Sequence, residues 1–188
     1  MTNKYRVIGV DISKSSTGWS IVDYDNGNLK LIDYGYIPTN KLTHSESLVL
    51  IEKRISQIVE KYQPNFASIE QMFVGKNAGT GMTLANAHGV VLLVLAKNKI
   101  PYNYYSVMTL KSRVLGGVKT KKDDGTKKTG DEMKAEVSRK IIEVFGASSF
   151  IKEYNNDVTD SISAAYTFIL MDGKEIEKAK KVRKKKTT

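Results

Sequence analysis

The chain has 188 residues, no cysteine, two histidines, and 30 Lys+Arg against 20 Asp+Glu, for a formal charge of +10. That length fits one domain. The missing cysteines exclude disulfide scaffolds, thiolate zinc sites, iron–sulfur clusters and cysteine nucleophiles, and two histidines are too few for a His-rich centre. Any metal must therefore be held by oxygen.

The positive excess is concentrated. Residues 111–134 carry +4 and residues 174–188 carry +6, leaving the rest neutral. Two basic segments on a neutral body suit a polyanion, most often nucleic acid. The competing reading is a solvated loop and a solubilising tail. No run of about 18 apolar residues occurs, and Met1-Thr2-Asn3-Lys4-Tyr5 leads into a strand-like segment rather than a signal-peptide core, so a cytoplasmic protein without a membrane span is expected.

In chain order, Tyr5–Val10 is a β-rich run ending at Asp11. Gly18–Val22 and Leu29–Ile37 flank Asp25-Asn26-Gly27-Asn28 and predict a hairpin. Thr43 to Glu46 has capping-box spacing ahead of a helix carrying Leu48, Ile51, Ile55 and Ile58, which Pro64 stops. Phe66–Glu70 predicts a strand. A Gly-rich loop (Gly75, Gly79, Gly81) then leads to a helix over Met82–Lys97 with Leu84, His88, Val91 and Leu95 on one stripe. Tyr102–Tyr105 predicts a strand, and Ser106 caps a short helix ending at Gly116-Gly117. A polar loop runs from Lys119 to Gly130. Thr129 to Glu132 is a second capping box, opening a helix that Gly146 ends, and Asn156 begins a last helix running to about Gly173. Strands paired first as hairpins and later separated by helices imply an α/β fold with a mixed sheet covered by helices. Residues 1–173 read as one domain and 174–188 as a flexible basic tail.

Four acids stand where a structural reason for them is weak. Asp11 and Glu70 end apolar strands, a costly place for a carboxylate unless it is paired or metal-bound. Asp157 and Asp160 are three apart at the start of the last helix and share a face. If both strand ends lie at one sheet edge and that helix starts there, the four converge. Alone they repel one another, whereas divalent metal makes the cluster favourable, and all-oxygen ligation suits Mg²⁺, with Mn²⁺ as substitute. Two ions about 3.5–4 Å apart would activate a water and stabilise a leaving 3′-oxygen. Taken singly, the helix acids also read as charges satisfying the helix dipole, Glu70 as a salt-bridge partner and Asp11 as a turn acid.

Together these residues resemble the RuvC-type Holliday junction resolvases, homodimeric endonucleases with an RNase H-like fold. The likeness rests on Ile8-Gly9-Val10-Asp11 with Thr17-Gly18-Trp19; on Ile69-Glu70-Gln71-Met72-Phe73 with Lys76-Asn77-Ala78; on His88-Gly89-Val90; and on Asp157-Val158-Thr159-Asp160-Ser161 with Ala164-Ala165. It implies a five-stranded mixed sheet with helices on both faces, and Asp11, Glu70, Asp157 and Asp160 as ligands of two ions per site. Asp11 would bridge the ions. It further implies that Phe73 is an aromatic wedge on junction bases, against a plain reading as core, and that Lys111 and Lys134 lie near the scissile phosphate, against a reading as ordinary solvated cations. Lys134 would assist catalysis. Lys76, Lys119, Lys121, Lys122, Lys127 and Lys128 are the expected further DNA contacts.

Ile12-Ser13-Lys14 where many bacterial members have Pro-Gly, the longer charged loop and the basic tail are departures that resemble phage-encoded branches of the family. The expected function is metal-dependent resolution of Holliday junctions and other branched DNA by paired symmetric nicks, from a homodimer whose contact helix is Met82–Lys97, a segment whose apolar stripe reads equally as ordinary core. Two alternatives compete with it. The opening strand and hairpin also resemble actin-like ATPases and sugar kinases, whose second lobe 188 residues cannot hold. A non-catalytic branched-DNA-binding protein would keep the basic segments and make the acids structural.

Overall fold

The computed structural model describes residues 4–72, 78–117, 126–146 and 156–173. The elements are β1 (Lys4–Ile12), β2 (Ser16–Asp25), β3 (Asn28–Pro38), α1 (His44–Tyr62), β4 (Phe66–Glu70), α2 (Ala78–Lys97), β5 (Tyr102–Tyr105), α3 (Val107–Val114), α4 (Gly130–Phe145) and α5 (Asn156–Met171).

The sheet order is β3-β2-β1-β4-β5. β1–β2 and β2–β3 are antiparallel, and β1–β4 and β4–β5 parallel. The β2–β3 hairpin turns on Asn26 (φ 50) and Gly27 (φ 99), two successive positive-φ residues as a type I′ turn requires. Both capping boxes form: Thr43 with Glu46 opens α1, and Thr129 with Glu132 opens α4. Gly146 (φ 65) closes α4 in the left-handed conformation.

The sheet alternates strictly enough to sort its two faces. Ile8, Val10, Ile12, Ile21, Ala67 and Ile69 pack with α1 and α2. Tyr5, Val7, Val22 and Phe66 point the other way, toward Ala164, Ala165, Phe168 and Ile169 of α5. Val114, Val137 and Ile141 join α3 and α4 to α5 through Val158 and Ile162. Burial of each such aliphatic side chain contributes about 1.5–3 kcal/mol. The expected mixed sheet with helices on both faces is thus present.

The structure departs from the sequence reading in two places. β1 runs to Ile12, so Asp11 lies inside the strand rather than at its end. α2 begins at Ala78, four residues before the expected start, and Gly79 and Gly81 are helical rather than loop. Glycine disfavours helix by about 1 kcal/mol. Here Gly81 is buried, and Thr83 Oγ1 donates to the Gly79 carbonyl at 3.0 Å, so packing and helical bonding override the propensity. α2 is also long and apolar enough to cross a membrane, yet Ala87, Val91, Val94 and Leu95 belong to the core.

Candidate active site

Period-two alternation decides which acids meet. Gly9 and Asp11 follow Val7 on the α5 face, and Ser68 and Glu70 follow Phe66 on the same face. Ser68 Oγ donates to the Ala164 carbonyl of α5 at 2.6 Å. Parallel pairing of β1 with β4, in register through Val10 and Ile69, carries Asp11 and Glu70 to the same edge of the sheet.

α5 must then come close, and two glycines let it. A Cβ on Gly9 would collide with the Ser161 carbonyl oxygen and stand 2.9 Å from Ala165 N. A Cβ on Gly18, the strand partner of Asp11, would collide with the Asp157 carbonyl oxygen. The helix backbone therefore lies directly on the sheet, and its first turns deliver Asp160 to the two strand carboxylates. One carboxylate oxygen each from Asp11, Glu70 and Asp160 lies within 4.8 Å of the others.

Asp11 is 8% exposed. Burial pushes its carboxyl well above the usual range, and Glu70, Asp160 and Asp157 push it further, against an opposing pull from Lys134. Burial, then Asp160, raises Glu70 to about 7, with Lys111 and Lys134 opposing. Asp160 rises to about 6 through burial and Asp157, again against both lysines. Burial and mutual repulsion that raise all three carboxyls mark a site whose ionised form lacks countercharge. A divalent cation supplies it, and the donor set is all oxygen, so these residues fit Mg²⁺ or Mn²⁺.

Asp157 stands apart from the three-carboxylate group. Its Oδ2 accepts hydrogen bonds from Ser13 Oγ at 3.0 Å, in the β1–β2 turn, and from Ser16 Oγ, at the start of β2. The helical spacing that puts Asp157 on a shared face with Asp160 does not reveal these serines. The signal the sequence does carry is the hydroxyl-rich run Ser13-Lys14-Ser15-Ser16 directly after the first strand.

α3 brings Lys111 and α4 brings Lys134 close enough for their charges to act on Glu70 and Asp160. Lys128 instead turns to Glu136 at 2.5 Å with 15% of its side chain exposed, while Lys127 is exposed. Phe73, Lys76, Lys119, Lys121, Lys122 and the basic tail lie outside the described residues. His88 is buried under Tyr104, and burial lowers its pKa; His44 pairs with Asn86 at 3.0 Å.

An RNase H-like sheet with carboxylates at the edge shared by β1 and β4, and a helix laid over them, defines the class of cation-dependent polynucleotide nucleases. Residues 7–129 match the family model described as crossover junction endodeoxyribonuclease RuvC. The relative of that name from Chloroflexus aurantiacus is 38% identical over 112 residues, covering 59% of this chain and 68% of its own. The one from Fusobacterium nucleatum is 30% identical over 165 residues, covering 87% and 80%. The T. thermophilus RuvC structure, solved in complex with a Holliday junction substrate, superposes with a TM-score of 0.70 at 18% identity, covering 88% of this chain and 93% of that one. The chain belongs to the RuvC family of crossover junction endodeoxyribonucleases.

Proposed function

We propose that this protein resolves Holliday junctions and related branched DNA by hydrolysing phosphodiester bonds symmetrically. The observation that carries this reading is the meeting of Asp11, Glu70 and Asp160 within 4.8 Å, flanked by Lys111 and Lys134, in a chain of the RuvC family. Asp11, Glu70 and Asp160 would hold Mg²⁺, with Asp157 as the fourth carboxylate of a two-ion site. Such ions supply an activated water and stabilise the leaving 3′-oxygen. Around them, the sheet excludes bulk water from Asp11, and Lys111 and Lys134 offset negative charge where the scissile phosphate must approach. Lys134, whose charge reaches all three acids, is the better placed of the two to steady the transition state.

Two copies related by a two-fold axis match the symmetry of a four-way junction. α2 supports that reading, since Met82 and Leu93 on it are 68% and 52% exposed. Residues 1–173 form the nuclease domain in this proposal, with residues 174–188 as a basic tail. Phe73 acts as the junction wedge, and Lys76, Lys119, Lys121, Lys122 and Lys127 add phosphate contacts. Lys128, engaged by Glu136, contributes less. A cytoplasmic setting fits bacterial relatives that act on DNA, and a phage source rests on the three departures from the bacterial pattern.

The test is incubation of the full chain with end-labelled four-way junction, linear duplex or RNA–DNA hybrid, with Mg²⁺ or EDTA, beside Glu70→Gln. Paired symmetric nicks that need both metal and Glu70 support the proposal. Junction binding without metal-dependent cutting returns the chain to a branched-DNA-binding role, and cutting of the hybrid alone moves it to the ribonuclease side of the fold.

A further inference from the structure

The β1–β2 turn and the first residue of β2 are rich in hydroxyls, Ser13, Ser15 and Ser16 around Lys14, and two of them reach across 141 and 144 positions to one atom. Ser16 is 4% exposed and its hydroxyl is directed at Asp157 Oδ2. Ser13 Oγ lies 3.0 Å from that same oxygen and 3.0 Å from the Ser16 carbonyl, while Ser16 N–H donates back to Ser13 Oγ at 3.2 Å. A serine has one hydroxyl proton, so Ser13 can donate to Asp157 or to its own turn, but not fully to both. Ser13 thus divides its proton between Asp157 and its own turn, and Ser16 adds a second hydroxyl on the same oxygen.

We infer that Ser16, seconded by Ser13, is a positioning residue: the turn grips Asp157 by Oδ2 and so fixes the direction in which the rest of that carboxylate faces the Asp11–Glu70–Asp160 cluster. The inference rests on the proposed metal-dependent reading of that cluster. The chemistry suits the task. Hydroxyl donors orient a carboxylate without bringing a positive charge that would compete with a cation, as a lysine or arginine would. The backbone supports the same geometry, because Gly18 lets the Asp157 peptide rest on β2 only two residues past Ser16. The half-buried Ser13 hydroxyl can turn to the Ser16 carbonyl instead, so it keeps an acceptor whether or not it donates to Asp157.

The experiment titrates Mn²⁺ into the full chain and follows the melting temperature, comparing wild type, Ser16→Ala, Ser16→Thr, Ser13→Ala, Asp157→Asn and the Ser16→Ala/Asp157→Asn double variant. Junction binding in EDTA is measured alongside. Ser16→Ala should raise the Mn²⁺ concentration for half-maximal stabilisation by about tenfold, the loss expected for one hydrogen bond to a charged group. Its metal-free melting should fall, because the bond to Asp157 is made without metal, while junction binding in EDTA should stay near wild type. Ser16→Thr should restore the midpoint, Ser13→Ala should shift it less, and Ser16→Ala should add nothing once Asp157 is Asn. An unchanged midpoint in Ser16→Ala, or an equal shift in the Asp157→Asn background, overturns the inference. Should Ser16→Ala fail to fold, Ser13→Ala decides: a smaller shift that vanishes with Asp157→Asn supports the grip, and no shift overturns it. A wild type that neither responds to Mn²⁺ nor cuts a junction overturns the metal-dependent reading itself, and with it this role, whereas a responsive wild type with indifferent serine variants overturns the role alone.

Discussion

The backbone of Gly18 lies against the backbone of Asp157, so closely that a Cβ on the glycine would collide with the Asp157 carbonyl and approach Val158 N to 2.9 Å. Gly18 is also the strand partner of Asp11. One missing methyl thus sets the distance between β2, the strand paired to the one that carries the first acid, and the helix that carries the last two.

Gly18→Ala should push the start of α5 off β2. Inserting a methyl between packed backbones costs about 1–3 kcal/mol, and a shift of about 1 Å at Asp160 should cost at least a hundredfold in cleavage. Urea unfolding and junction cleavage read the two effects, and wild-type values in both would refute the close-packing argument. Gly9→Ala, facing Ser161 and Ala165, should behave similarly.

Stability of the metal-free protein should fall as pH rises from about 5 to 8. The folded state keeps protons on Glu70 to about pH 7 and on Asp160 to about pH 6, while the unfolded state loses them near pH 4. Over that interval the native state binds more protons than the unfolded one, so the slope of unfolding free energy against pH is negative. Melting in EDTA across this range checks the sign, and added Mg²⁺ should recover the loss at pH 8. A flat or rising metal-free profile would contradict the buried cluster.

Glu70→Gln removes a carboxylate that burial and Asp160 penalise. At pH 8 without metal the variant should be more stable by about 1–2 kcal/mol, less than a fully buried carboxylate would yield because solvent reaches part of the group. Cleavage should drop by a hundredfold or more. Chemical denaturation in EDTA measures the first; if the variant is instead markedly less stable, Glu70 is a structural acid.

Lys134→Ala should slow cleavage by about ten- to a hundredfold with little change in junction affinity. Because Lys134 opposes the raised values of Asp11, Glu70 and Asp160, its loss should also move the acidic limb of the pH–rate profile upward. Lys128→Ala, removing a lysine already held by Glu136, is the comparison and should leave that limb in place. Equal profiles for the two variants would remove Lys134 from the chemistry.

What the sequence determined by itself is mostly local. The Asn26-Gly27 turn, the Thr43 and Thr129 capping boxes and the Gly146 stop are set by residues within a few positions of each other, so their signals survive without the fold. The acids, too, are legible, because a carboxylate beside VIGV or ASIE has no local justification. Where packing overrides local preference the sequence misleads, as at Gly81, buried and helical despite its propensity. Only the tertiary structure decided that Asp11, Glu70 and Asp160 form one group while Ser13 and Ser16 take Asp157, and that Lys128 turns aside to Glu136. The grouping of the acids and the serine grip depend on parallel pairing and helix-on-sheet packing between segments about 60 to 150 residues apart, where spacing along the chain carries no distance information.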